Sequence, residues 1–153
     1  MSSHRVRLFF LFCLSGVLSV CVANGQQPTP TGSTFPNRFT GRQIVVEVGS
    51  EPNRPEYRLL DNGLLYYREG SEGPFTQLGQ QPKDTTRKAF TTLEQECKIK
   101  TTKLEKPEKP DVTITWKRVK TEFAVGWEKQ KAPEAYEKFY EQFMQLFPKN
   151  RRK

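Results

Sequence analysis

"YRLLDNGLLYYREG", residues 57–70, sets two apolar runs on either side of Asp61-Asn62-Gly63. An Asp-Asn-Gly between runs of strand-forming residues predicts a β-hairpin, because Asn and Gly tolerate the left-handed backbone that a tight reversal needs. Two registers compete. A two-residue Asn62-Gly63 turn puts Leu59 opposite Tyr66 but leaves Asp61 and Arg68 on their face, which spoils the apolar set. A three-residue loop with Gly63 left-handed pairs Leu60 with Leu64, Leu59 with Leu65, Arg58 with Tyr66 and Tyr57 with Tyr67. One face then carries Tyr57, Leu59, Leu65 and Tyr67, and the other Arg58, Leu60, Leu64 and Tyr66. A slip of one residue would exchange the two sets, so the hydrophobic pattern selects the second register.

Outward from the hairpin, "QIVVEV" (43–48) alternates with Ile44, Val46 and Val48 on one face, which predicts a half-buried strand. "PFTQLGQ" (74–80) is a further short strand. "QPKDTTRKAFTTLEQEC" (81–97) then changes to helical spacing: Ala89, Phe90, Leu93 and Cys97 form one stripe, Pro82 suits the first turn, and Asp84 suits the positive end of the helix dipole. "KIKTTKLEKPEKPD" (98–111) reads as an extended surface connection. "DVTITW" and "EFAVGW" are two more strands joined by the polar "KRVKT". "APEAYEKFYEQFMQLF" (132–147) is a helix with an aromatic stripe of Tyr136, Phe139, Tyr140, Phe143 and Phe147, opened by Pro133 and ended by Pro148. Hairpins imply an antiparallel sheet, and two single-stripe helices need one common surface. The expectation is an α+β domain: an antiparallel sheet of about four to six strands with both helices packed on one face.

The first 25 residues predict a secretory signal. Arg5 and Arg7 precede an uncharged apolar run from Leu8 to Val22, 15 residues long, and a membrane-spanning helix needs about 20. Ala23-Asn24-Gly25 offers a cleavage site that leaves Gln26 first. A lipid anchor on Cys21, within "LSVC", is the weaker alternative, because Val20 departs from the small residue that a lipobox places before its cysteine. Residues 26–42, "QQPTPTGSTFPNRFTGR", have the composition of a flexible tether. Residues 43–148 then form one α+β domain, and 149–153 a basic tail. The expected setting is secreted or periplasmic.

Loss of residues 1–25 would remove His4, the single histidine, together with Cys13 and Cys21. What remains has no histidine and one cysteine, Cys97, which excludes Ser-His-Asp and Cys-His catalysis, most zinc sites and an internal disulfide. Cys97 shares a helix stripe with Phe90 and Leu93, so core packing explains it better than chemistry. Without Arg5 and Arg7 the chain carries 23 basic and 17 acidic residues. The excess sits in Lys98–Lys109 and in the tail, leaving a nearly neutral body and no broad basic groove for nucleic acid.

The stretches "YRLLDNGLLYYREG", "PKDTTRKAFTTLE", "VTITW", "FAVGW" and "APEAYEKFYEQFMQL" together resemble a group of small exported or lipid-anchored bacterial α+β proteins of unknown function. The likeness spans most of residues 43–147 and rests on element order, the Asn-Gly hairpin and a Trp before the final Pro-started helix. It implies a bacterial envelope setting and carries over no functional residue.

Three functional readings follow. The first is a noncatalytic binding module whose partner, a protein or an anionic envelope component, meets an open sheet face or edge; Arg58, Leu60, Leu64 and Tyr66 are the candidate face. Periodicity leaves undecided whether that face is open or covered by a loop, the N-terminal segment or a second chain. The second is a small hydrolase using paired carboxylates, for which Asp61, Asp84 and Asp111 are available, although each already has a local reason to be where it is. The third is electrostatic attachment to anionic polymers through Lys149, Arg151, Arg152 and Lys153. The first is favoured, with no enzyme activity, cofactor or metal site expected; "DNG" alone lacks the run of oxygen ligands that a calcium loop requires.

Overall fold

A computed structural model describes residues 35–49, 52–104, 107–128 and 130–152. The apolar run 8–22, the cleavage site, Cys21, residues 26–34 of the tether and Lys153 lie outside the described residues. Four strands run as a meander: β1 (Arg42–Val48), β2 (Glu56–Leu60), β3 (Leu64–Arg68) and β4 (Thr76–Gln80). Helix α1 (Lys83–Thr91) continues into a π-helical segment, Thr92–Glu96, and is followed by the hairpin β5 (Val112–Arg118) and β6 (Thr121–Trp127) and by α2 (Glu134–Met144). All pairings are antiparallel and the spatial order is β4-β3-β2-β1-β5-β6, so α1 carries the chain over the sheet and β5 returns beside β1.

The β2–β3 register is the three-residue-loop register: Leu59 pairs with Leu65, Arg58 with Tyr66 and Tyr57 with Tyr67. Gly63 adopts φ 91°. Its N–H donates to the Leu60 carbonyl at 2.8 Å, while the Asn62 side-chain oxygen accepts from the Leu64 N–H at 3.1 Å. Turn chemistry therefore accounts for the Asp-Asn-Gly in full.

Tyr57, Leu59, Leu65 and Tyr67 join Ile44, Val46, Ile114, Trp116, Val125 and Trp127 on the face that both helices cover. Phe90 and Leu93 come down from α1 and its π-helical continuation, and Tyr136, Phe139 and Phe143 from α2. Aromatic rings join the layers edge to face or tilted: Tyr57 lies 5.2 Å from Phe147, and Trp127 lies 6.2 Å from Tyr136. Each such side chain contributes about 1.5–3 kcal/mol through burial. The helices begin one residue later than their prolines suggest, since Pro82 and Pro133 sit at the N-cap positions.

Three expectations are corrected. Residues 35–42, expected within the tether, are part of the fold: Phe35 packs on Tyr66 with ring centroids 5.4 Å apart, the Phe39 carbonyl accepts from the Gln43 side chain at 3.1 Å, and Arg42 already belongs to β1. Two phenylalanines give this segment an apolar payload that its Pro/Thr/Gly composition hides. β1 is buried on both faces rather than one, Gln43 and Val45 included, because it is the central strand and its second face is also covered. The connection after Cys97 is not wholly at the surface, for Ile99 is buried in the core just past Lys98, which takes φ 55°.

Two backbone positions test this account. A Cβ on Gly63 would come within 2.5 Å of the Gln81 carbonyl oxygen at a φ that side chains disfavour, so Gly63→Ala should destabilise the fold by about 2 kcal/mol. Val119, in the two-residue turn between β5 and β6, takes φ 53°. A β-branched residue is strained there, and Val119→Gly should stabilise by about 1 kcal/mol. Urea unfolding of the two variants checks both signs.

Candidate functional site

The second face of the sheet, where Arg58, Leu60, Leu64 and Tyr66 were candidates for a partner surface, is closed. Leu60 is 0 % exposed, Tyr66 4 % and Arg58 6 %, while Leu64 is half-buried. Phe35 covers Tyr66 from the N-terminal side, and Phe75, before β4, lies beneath two guanidinium groups, with Arg58 and Arg68 centred 4.6 and 4.7 Å from its ring. The Tyr66 hydroxyl donates to Gln77 at 2.9 Å, and burial raises its pKa. These residues form a second, smaller core, and an open face there is not a feature of the molecule.

That core is held by a line of charge and hydrogen bonds. Gln43 donates to the Phe39 carbonyl and accepts from Arg58 Nη1 at 3.3 Å; Arg58 Nε donates to Glu56 Oε1; Arg68 Nε donates to Glu56 Oε2 at 2.7 Å; and Arg68 Nη1 donates to the Ser71 carbonyl. Glu56 is 3 % exposed and serves both arginines. A buried carboxylate so paired is a structural ion, and removing it leaves guanidinium charge stranded in a medium that solvates it poorly. Beside this line Arg54 donates to the Thr113 hydroxyl at 2.5 Å from the β1–β2 loop.

The three aspartates do not come together. Asp61 accepts from the Arg42 N–H at 2.9 Å and pairs with its guanidinium at one end of β1. Asp111 meets Gly49 at the other end of the same strand, and six strand residues span about 20 Å. Asp84 is exposed and paired with Arg87. Among the described residues no group of three His, Cys, Asp or Glu converges on one point. Glu94, in the π-helical segment, is half-buried. It accepts from the Trp116 indole at 2.7 Å and from Arg42 at 3.4 Å, and it pairs with Lys100 at 3.3 Å, pinning the π-helical segment to the sheet. The extra residue of a π-turn shifts the helix face, and no period-3.6 pattern reveals such a shift.

The basic tail is partly built into the fold. Arg152 donates to the carbonyls of Phe147 at 2.8 Å and Gln145 at 3.0 Å, capping the end of α2. Arg151 lies 5.2 Å from the Tyr67 ring centroid and its carbonyl accepts from the Tyr57 hydroxyl. Lys149 is exposed. Arg151 and Arg152 are nonetheless exposed.

The two sheet edges differ. β4 is irregular as an edge: its register against β3 shifts between Leu65 and Tyr66, leaving Leu78 as the extra residue. β6 differs, pairing with β5 through seven successive residues without interruption from Thr121 to Trp127. It is the last strand on its side. Beside its C-terminal end Leu104, Pro107, Trp127 and Pro133 line a cavity of about 400 Å³, with Glu128 and Lys131 paired at its rim. The sequence carried one sign of this site, the Trp before a Pro-started helix, without indicating which strand ends the sheet.

Two measurements probe these assignments. Glu56→Gln should destabilise the fold by about 3–5 kcal/mol by stranding Arg58, read as a lowered urea midpoint. Cys97 is buried, and burial raises its thiol pKa to about 11, the charge of Glu96 adding to the effect. At pH 8 only about one thiol in a thousand is ionised at that pKa, so in the chain from Gln26, where Cys97 is the one cysteine, a disulfide reagent should leave the native protein unlabelled and react on unfolding.

No protein-family model, curated protein or solved structure matches the chain.

Proposed function

We propose that the folded region is a noncatalytic binding module, and that it takes an extended segment of a partner protein along the outer edge of β6. The observation that carries this reading is the unbroken seven-residue ladder of β6 at the end of the sheet. A regular edge strand presents unpaired main-chain donors and acceptors, a template for one more strand. Natural sheets usually blunt such an edge, as β4 is blunted by its bulge. Phe123 is half-buried and Ala124 exposed along the edge, and the Trp127 cavity gives an added strand an apolar pocket for one anchoring side chain.

Two further points support the noncatalytic character. Asp61 is paired with Arg42, Asp84 with Arg87, Glu56 with Arg58 and Arg68, and Glu94 with Arg42 and Lys100, so these carboxylates serve as ion-pair partners. The exported setting draws support from the sequence alone, through Arg5, Arg7 and the apolar run Leu8–Val22. Among the described residues no helix is long and apolar enough to cross a membrane.

The test is affinity capture from a bacterial envelope extract with the wild-type chain and with Ala124→Lys, which places a charged side chain on the exposed edge without touching the core. The lysine variant should lose the captured protein, and amides of β6 should exchange more slowly with solvent deuterium in the wild-type complex than in the free chain. Undiminished capture by Ala124→Lys, or unchanged exchange in β6, would count against the edge.

A further inference from the structure

We infer that the tip of the β5–β6 hairpin is a contact site for an anionic phospholipid surface. The tip reads Lys117-Arg118-Val119-Lys120, and β5 and β6 pair in register up to Arg118 and Thr121, so a rigid ladder presents a two-residue turn. Arg118, Val119 and Lys120 are exposed and Lys117 is half-buried. None of the ion pairs among the described residues includes Lys117, Arg118 or Lys120. Arg42, the cross-strand neighbour of Arg118, is paired with Asp61 and Glu94, and Lys100 with Glu94, so those two carboxylates are engaged elsewhere. Glu122, opposite Lys117, is the one acid in residues 117–122 against three bases.

Charge alone would fit any polyanion, and Val119 decides between them. It is 58 % exposed, the more exposed of the two large apolar side chains at the surface of the described residues, and it holds a left-handed backbone that suits Gly or Asn. Water rewards neither the exposed isopropyl group nor the strain. A bilayer interface supplies phosphates for the three bases and, a few ångströms deeper, an acyl boundary for one aliphatic side chain; a soluble polyanion supplies only the first. The other exposed apolar residue, Leu104 at 41 %, lies beside the Trp127 cavity at the far end of β6. A chain resting on lipid through Val119 would therefore turn that end away from the membrane. The inference does not depend on the strand-binding reading of the β6 edge.

The experiment uses the chain from Gln26, which lacks the apolar run Leu8–Val22 but retains the whole core cluster between Ile44 and Phe147. Flotation with vesicles of 70 % phosphatidylcholine and 30 % phosphatidylglycerol is compared with pure phosphatidylcholine, and soluble heparin serves as the polyanion. The wild-type chain should float with the anionic vesicles only. Lys117→Gln/Arg118→Gln/Lys120→Gln should lower the partition constant about a hundredfold, at about fivefold per charge. Val119→Gly should lower it about threefold while raising the urea midpoint, so that lost binding cannot be lost folding. Absence of wild-type flotation, equal flotation with neutral vesicles, or unchanged flotation of the triple variant would overturn the inference. Unchanged flotation of Val119→Gly together with heparin binding as tight as vesicle binding would also overturn it, by assigning the tip to polyanions in general.

Discussion

The left-handed turn at Gly63 is the constraint on which the sheet depends. It fixes β2 against β3 to the residue, and because strand side chains alternate, it assigns each residue of the hairpin to one of two cores. Tyr57, Leu59, Leu65 and Tyr67 go to the helices; Arg58, Leu60 and Tyr66 go to the layer beneath. β1 then pairs with β2 through Ile44–Leu59 and Val46–Tyr57, extending the same division to the centre of the sheet. A register slipped by one residue would place Arg58 against the helices and Leu59 among the charges.

The lower layer explains why the division is so strict. Arg58, Arg68 and Glu56 are buried or nearly so, and Phe75 sits under both guanidinium groups. Such a layer tolerates only one arrangement, because each charge needs its partner at hydrogen-bond distance. It gains specificity more than stability from this, in contrast to the aromatic upper layer, where area buried is the main term.

Much of this was legible in the sequence. The hairpin register, the two helices with their stripes and the sheet covered by both followed from periods of 2 and 3.6 and from turn residues. The closure of the second face did not, because it comes from Phe35, Phe39 and Phe75, single aromatics in segments whose composition reads as tether or loop. Glu94 was hidden by a π-turn, and the exposed edge by strand order: nothing in "EFAVGW" distinguishes a terminal strand from a central one. The candidate surfaces depend on which strand is last and which loop folds back, and these are long-range facts that local pattern does not carry.

The segment after α2 is tied to the first strands of the sheet. Phe147 packs on Tyr57, the Arg151 carbonyl receives the Tyr57 hydroxyl, and Ile44 and Phe147 belong to one core. The helix layer over Tyr57 is therefore closed by the segment that follows α2, so the first hairpin of the sheet depends on residues some ninety positions further along for its cover.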